Sequence, residues 1–308
     1  MSPDRIVVMG TGGTIAGRGA PGAELGYVAG QIGVEDLVAA IPELRDVRVV
    51  TEQVAQIDSK DMAFGVWQSL AARCAHWLGQ ADVAGIVVTH GTDTLEETAW
   101  FLQRVLAPGK PVAITCAMRP ATALVPDGPQ NLLDAFTVAR QAGARGVMAV
   151  CAGVVHGAAE VRKVHTYRLD AFGSGDAGPL AYVEAGRVRQ LRGWPQGLSG
   201  AGLLDRVLCA REWPWVEIVT NHAGAGSRTV DALVAGGVQG LVAAGTGNGS
   251  LNVPMEQALL RAMEKGVRVL RSTRCLDGKV IAQAGDRLPA HPLTPVKARV
   301  DLLLELLA

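Results

Sequence analysis

The sequence predicts an α/β protein of two domains: a larger N-terminal one with a mostly parallel sheet and flanking helices, and a smaller C-terminal α/β domain. Three observations carry this. Apolar, β-rich runs alternate with helical patterns along the chain. Several runs, such as Gly85-Ile86-Val87-Val88 and Pro111-Val112-Ala113-Ile114, are continuous, as suits strands covered on both faces of a parallel sheet. A stretch from Arg192 to Gly202, rich in Gly with Pro and Ser, separates two such alternating regions.

In order, strands are predicted over 5–9, 47–54, 84–89, 111–115 and 146–151, and helices over 34–40, 60–78, 94–106 and 130–142. The alternation implies right-handed crossovers with helices on both sides of the sheet. Ala181-Tyr182-Val183-Glu184, then Ala185-Gly186, then Arg187 to Leu191 reads as a hairpin. Beyond the Gly-rich stretch come a strand at 216–220, a helix at 229–235, a strand at 240–244, a helix at 253–265, a strand at 267–271 and a closing helix at 296–306. The domains are placed at 1–191 and 208–308, with 192–207 as linker.

A chain of 308 residues is ample for a real core. Lys plus Arg and Asp plus Glu are 29 each, so there is no basic field for nucleic acid or an anionic membrane, and neither is expected as a partner. No apolar run reaches the roughly 18–20 residues of a membrane span, and the N-terminus does not read as a signal peptide. The five cysteines are odd in number and dispersed, so they are expected to be reduced and mostly buried. A cytoplasmic location follows as an expectation. The six histidines show no paired ligand spacing, and no metal site is expected.

Chemistry is sought at two strand ends. Ile6-Val7-Val8-Met9 breaks into Gly10-Thr11-Gly12-Gly13-Thr14-Ile15-Ala16-Gly17, and Ile86-Val87-Val88 into Thr89-His90-Gly91-Thr92-Asp93-Thr94-Leu95-Glu96-Glu97. Ligands of open α/β sheets bind at such carboxyl ends, so Thr14 and Thr92 can meet on one small substrate. Thr94 and Glu97 match a capping box, which accounts for them structurally but leaves Gly91, Thr92 and Asp93 without a structural role. The first turn lacks the G-K-[ST] of a phosphate loop. Thr14 reads as a core-facing hydroxyl or a nucleophile needing a base. Lys163, in a chain poor in lysine, reads as solvated or as a base held near a carboxylate and a threonine. Asn248 lies on a third glycine loop, Gly245-Thr246-Gly247-Asn248-Gly249, either a plain turn or a ligand contact.

Thr11 to Gly17 and Thr89 to Ala99 resemble the two signature motifs of the bacterial L-asparaginase/glutaminase family. Ala117-Met118-Arg119-Pro120, Asp127-Gly128-Pro129 with Asn131-Leu132, Gly245 to Gly249 and Pro295-Val296-Lys297-Ala298-Arg299 also match. The resemblance implies hydrolysis of asparagine to aspartate and ammonia without metal or cofactor. It further implies a homotetramer or homodimer whose sites are shared between subunits. Thr14 matches the acylated nucleophile, and Tyr27 the tyrosine of a closing loop that helps activate it. Ser59, with Asp58 beside it, matches the contact to the substrate α-carboxylate. Thr92 matches the residue that positions or activates water, Asp93 the one that holds the α-ammonium, and Lys163 the partner of Thr92. Ala117 matches a backbone contact to the side-chain amide, and Asn248 a residue lent by the neighbouring subunit. Two departures stand out. Asp58 and Lys60 flank Ser59 where small and Gln/Glu residues are usual, and Lys60 brings a cation toward the carboxylate pocket. The chain is short near 277–290, where only Asp277 and Asp286 offer an acid from a neighbouring subunit. Alternatives are a dual glutaminase-asparaginase and a non-catalytic amino-acid sensor.

Overall fold

The structure, a computed structural model, describes residues 4–21, 25–197 and 202–307, and divides into two compact units, Met1–Leu204 and Asp205–Ala308. In the first unit the chain runs β1 (Arg5–Gly12), α1 (Val34–Ala39), β2 (Val49–Ile57), α2 (Phe64–Leu78), β3 (Val83–Thr89), α3 (Leu95–Leu106), β4 (Pro111–Thr115), α4 (Gly128–Ala139) and β5 (Gly146–Cys151). It continues through β6 (Val154–Gly157), β7 (Arg162–Lys163), β8 (Phe172–Gly173), β9 (Ala181–Glu184) and β10 (Arg187–Gln190). Among the described residues the main sheet has eight strands in the order β10-β9-β6-β5-β4-β3-β1-β2. From β2 to β5 all pairs are parallel, and from β5 to β10 all are antiparallel.

Helices cover both faces, as expected. Ile6, Val8, Val87, Met148 and Val150 pack with Leu132 and Phe136 of α4 and Val34 of α1. Successive strand residues point to opposite faces, and Met9, next to Val8, meets Cys74 of α2 with sulfur atoms 3.8 Å apart. The parallel strands are buried nearly throughout, which explains their continuous apolar runs.

Several elements differ from expectation. The predicted helix 60–78 is split: Ser59–Asp61 forms a single 3₁₀ turn, and α2 starts at Phe64. The capping box at the start of α3 does not form. Thr94 holds φ −118° and ψ 16° rather than extended backbone, and its hydroxyl donates to the Ser59 carbonyl at 2.8 Å. The hairpin is present as β9–β10, but the antiparallel strand β6 beside it had no reading in the sequence. Within the Gly-rich stretch, residues 192–197 pack onto the first unit. The Gln196 carbonyl accepts from Gln103 Nε2 at 3.2 Å, and a Cβ on Gly146 would lie 2.6 Å from Pro195. Residues 198–201 of that stretch lie outside the described residues.

Helix α5 (Leu203–Cys209) crosses the boundary, and the second unit continues with β11 (Val216–Thr220), α6 (Arg228–Ala235), β12 (Gly240–Gly245), α7 (Val253–Glu264), β13 (Arg268–Thr273) and α8 (Pro295–Leu306). Strands β11-β12-β13 form a parallel sheet in that order. Leu241, Ala243 and Val269 pack against Val230 of α6 and Met255 and Leu259 of α7. Gly240 lies against Leu302 of α8, where a Cβ would approach to 2.9 Å.

Candidate active site

The strand order places β1 between β2 and β3, so the chain reverses its direction of sheet growth there. Such a switch point opens a crevice at the carboxyl ends of the two central strands. Gly10 pairs with Thr89 at that end, and the Thr11 hydroxyl donates to the Thr89 carbonyl at 3.0 Å. The two glycine turns then meet backbone to backbone. A Cβ on Gly13 would lie 2.3 Å from Gly91 Cα, and one on Gly91 would lie 2.4 Å from Ser59 Oγ. Gly13 also holds φ +80°, a conformation glycine adopts without steric penalty.

Thr14 follows directly, buried in a short 3₁₀ turn of residues Thr14–Ala16. Its Oγ1 lies 2.7 Å from Tyr27 Oη. Two backbone bonds between Arg18 and Val28, each 2.9 Å, hold the Tyr27 segment, and the Tyr27 ring lies over Gly17.

On the second turn Thr92 is buried, and Asp93 is exposed. Lys163 Nζ donates to Thr92 Oγ1 at 2.8 Å and to Asp93 Oδ1 at 2.6 Å. Lys163 reaches them from β7, whose partner β8 sets Lys163 opposite Phe172. Its backbone N–H donates to Glu96 Oε1 at 3.2 Å. Glu96 reads in the sequence only as a first-turn acid, so this tether was not legible there. Ser59 Oγ is buried and accepts from the Asp93 N–H at 3.1 Å.

Thr14, Tyr27, Ser59, Thr92, Asp93 and Lys163 are thus linked through these two turns. Ala117 joins them through packing with Ile15 and Ala16. Asp58 accepts from the Lys60 N–H at 3.3 Å, so its carboxylate caps the 3₁₀ turn. The Lys60 ammonium is ion-paired with Asp61 and lies 3.7 Å from Asp58, so the cation expected near Ser59 is engaged by its own neighbours. Asn248, in the second unit, is exposed, and its amide forms two bonds with Ile281: Nδ2 to the carbonyl at 2.9 Å and Oδ1 from the N–H at 2.7 Å. Asp286 is ion-paired with Arg271 and accepts from the Gln283 N–H at 2.9 Å. Among the described residues, no three His, Cys, Asp or Glu side chains gather as a metal site.

A hydroxyl hydrogen-bonded to a phenol, a second hydroxyl held by an ammonium, and a carboxylate beside them form equipment for nucleophilic attack on an acyl carbon. Comparison with known proteins agrees with that class. The family model described as Asparaginase, N-terminal matches residues 5–195, and the one described as Glutaminase/Asparaginase C-terminal domain matches residues 215–308. The chain belongs to the asparaginase/glutaminase family. It is 39% identical to L-asparaginase 2 of Escherichia coli (strain K12) over 310 residues, covering 98% of this chain and 88% of that relative. It is 35% identical to the glutaminase-asparaginase of Pseudomonas fluorescens biotype A, covering 98% and 86%. The crystal structure of a probable cytoplasmic L-asparaginase from Campylobacter jejuni superposes with a TM-score of 0.91 at 35% identity, covering 98% of this chain and 95% of that one.

Proposed function

We propose that this chain hydrolyses L-asparagine to L-aspartate and ammonia through an acyl-enzyme on Thr14. The observation that carries the reading is the backbone contact of the Gly13 and Gly91 turns, which joins the Thr14–Tyr27 pair to the Thr92–Lys163–Asp93 chain. As Thr14 Oγ1 attacks the amide carbon, its proton passes to Tyr27 Oη, at hydrogen-bond distance, while the phenol gives its own proton to the amide nitrogen. The C–N bond then breaks, and ammonia leaves with that proton. Thr92, held by Lys163, orients the water that cleaves the ester and releases aspartate. Backbone N–H groups at Thr92 and Ala117 are the donors for the developing oxyanion. Asp93, half exposed, receives the substrate ammonium, and Ser59, whose oxygen already accepts from Asp93, directs its own proton to the α-carboxylate. Asp58 shapes this end by fixing the Ser59–Asp61 turn.

The reading carries a homotetramer or homodimer in which Asn248 of one subunit completes the site of another. Its support is the exposure of Asn248, Val253 and Ile281 on the second unit. It also carries a cytoplasmic location, in keeping with cysteines that are all free. Nothing in the chemistry calls for a metal or cofactor.

The test is ammonia release from L-asparagine and L-glutamine by the purified protein and by Thr14→Ala. Turnover of asparagine is expected, falling roughly a thousandfold or more in the variant. Undiminished turnover by Thr14→Ala overturns the acyl-enzyme. Binding of aspartate without any turnover favours a sensor. One methylene alters binding by only about 1–3 kcal/mol, and equal rates on both amides identify a dual glutaminase-asparaginase.

A further inference from the structure

Asp127 and Asn131 lie apart from the reacting groups, yet their side chains grip the short turn that follows β4. Asp127 Oδ2 accepts from the Met118 N–H and Oδ1 from the Arg119 N–H, each at 2.9 Å. Asn131 Nδ2 donates to the Cys116 carbonyl at 2.9 Å and to Asp127 Oδ2 at 3.2 Å. Asn131 Oδ1 accepts from the Ala152 N–H at 2.9 Å, which ties this turn to the one after β5. Asn131 is 3% exposed. Its amide has one workable orientation, because a flipped group would set an oxygen against the Cys116 carbonyl and the Asp127 carboxylate.

Every one of the bonds to this turn lands beside Ala117 and none on it. Ala117 is 1% exposed and packs on Ile15 and Ala16 of the Thr14 turn. Among the described residues its own N–H and C=O make no hydrogen bond. A buried peptide left open is costly unless something completes it. In the proposed function this peptide meets the substrate's side-chain amide, while Ser59 and Asp93 serve its α-groups.

We infer that Asp127 and Asn131 are positioning residues, a carboxylate–amide clamp that fixes the Ala117 peptide on which the substrate's side-chain amide is seated. The inference rests on the amidohydrolase reading for its kinetic part alone. A displacement near 1 Å at a reacting group costs on the order of a hundredfold in rate, so a loosened clamp lowers kcat, while the α-group contacts keep KM nearly unchanged.

Asp127→Asn replaces one of two acceptors with a donor, and Asn131→Asp removes the donor to Cys116. Hydrogen exchange of the free protein is expected to accelerate about tenfold across 116–119 in Asp127→Asn, with exchange near Ser59 and Thr92 unaltered. Per folded molecule, kcat for asparagine is expected to fall about 10–100-fold with KM within about threefold. Should either variant fail to fold, Asp127→Ser, which keeps one short acceptor, is read by the same two measurements. Unchanged exchange across the turn overturns the clamp, as does a loss expressed in KM alone. A wild-type protein inert toward asparagine overturns the proposed function instead, and the exchange data still decide the clamp.

Discussion

His90 lies between the Thr89 carbonyl that receives Thr11 and the glycine that meets Gly13, and it is fully buried. Burial pushes its pKa down to about 4, and the bond between Nδ1 and the Gly91 carbonyl, 2.7 Å, only partly opposes this. The neutral ring donates from Nδ1, and Nε2 has no partner among the described residues. An unfolded histidine titrates near 6.5, so between about pH 6.5 and about pH 4 the unfolded chain binds a proton that the folded chain refuses. Stability is therefore present above that window and is lost as pH falls through it, by roughly 2–3 kcal/mol at pH 4.5. Urea unfolding at pH 7.5 and 4.5 checks this. His90→Gln is expected to lose less stability on acidification than the parent, and equal losses would refute the assignment. At this scale the sequence was legible where a side chain belonged to a motif or, like Lys163, was of a rare type. Thr14, Thr92 and Asp93 were singled out, whereas His90 and Glu96 were not, because their roles depend on burial and on a partner 67 positions away in the case of Glu96.

The two glycine turns show what an element contributes beyond its residues. Each reads in the sequence as a strand breaking into a loop, but their contact depends on β1 and β3 being neighbours, a property of the strand order. Gly13→Ala tests that contact. Gly13 combines φ +80° with ψ −173°, backbone that costs an alanine on the order of 1–3 kcal/mol, and the added Cβ would also press to 2.3 Å from Gly91 Cα. Gly143, with φ +76° and open space around its Cβ position, is a positive-φ control without a close approach. Denaturation curves are expected to show Gly13→Ala losing clearly more stability than Gly143→Ala, with asparagine turnover collapsing in the first variant only. Similar losses in both would mean that the turns do not depend on close approach. Local rules were weaker guides at element ends. Thr94 and Glu97 fit the capping box by spacing, but tertiary contact redirects the Thr94 hydroxyl to Ser59. The four residues of β6 are a strand chiefly because β5 and β9 pair with them, and no local pattern announces such pairing.

Across the whole molecule, the division into two α/β units was legible because hydrophobic alternation stops and restarts. The antiparallel extension of the first sheet was not, since it arises from pairings between short, distant segments. The cysteines follow the same division. Cys74, Cys116 and Cys151 are buried in the first unit, and Cys209 and Cys275 are exposed in the second. Burial pushes the Cys74 thiol up to about 12. The Cys151 sulfur, 3.2 Å from Cys116 Sγ, together with burial, holds the Cys116 thiol well above its ordinary range. Alkylation requires an accessible thiolate, so Cys74 and Cys116 are shielded twice, by access and by protonation, and Cys151 is shielded by burial. With iodoacetamide at pH 8, mass spectrometry is expected to find native protein modified at Cys209 and Cys275 only. Cys74, Cys116 and Cys151 should react when urea opens the first unit, at the same denaturant concentration for all three, because each is buried in that unit. Modification of Cys116 or Cys151 in the native protein would show that the carboxyl ends of β4 and β5 open without global unfolding, in conflict with the clamp that binds those two ends together.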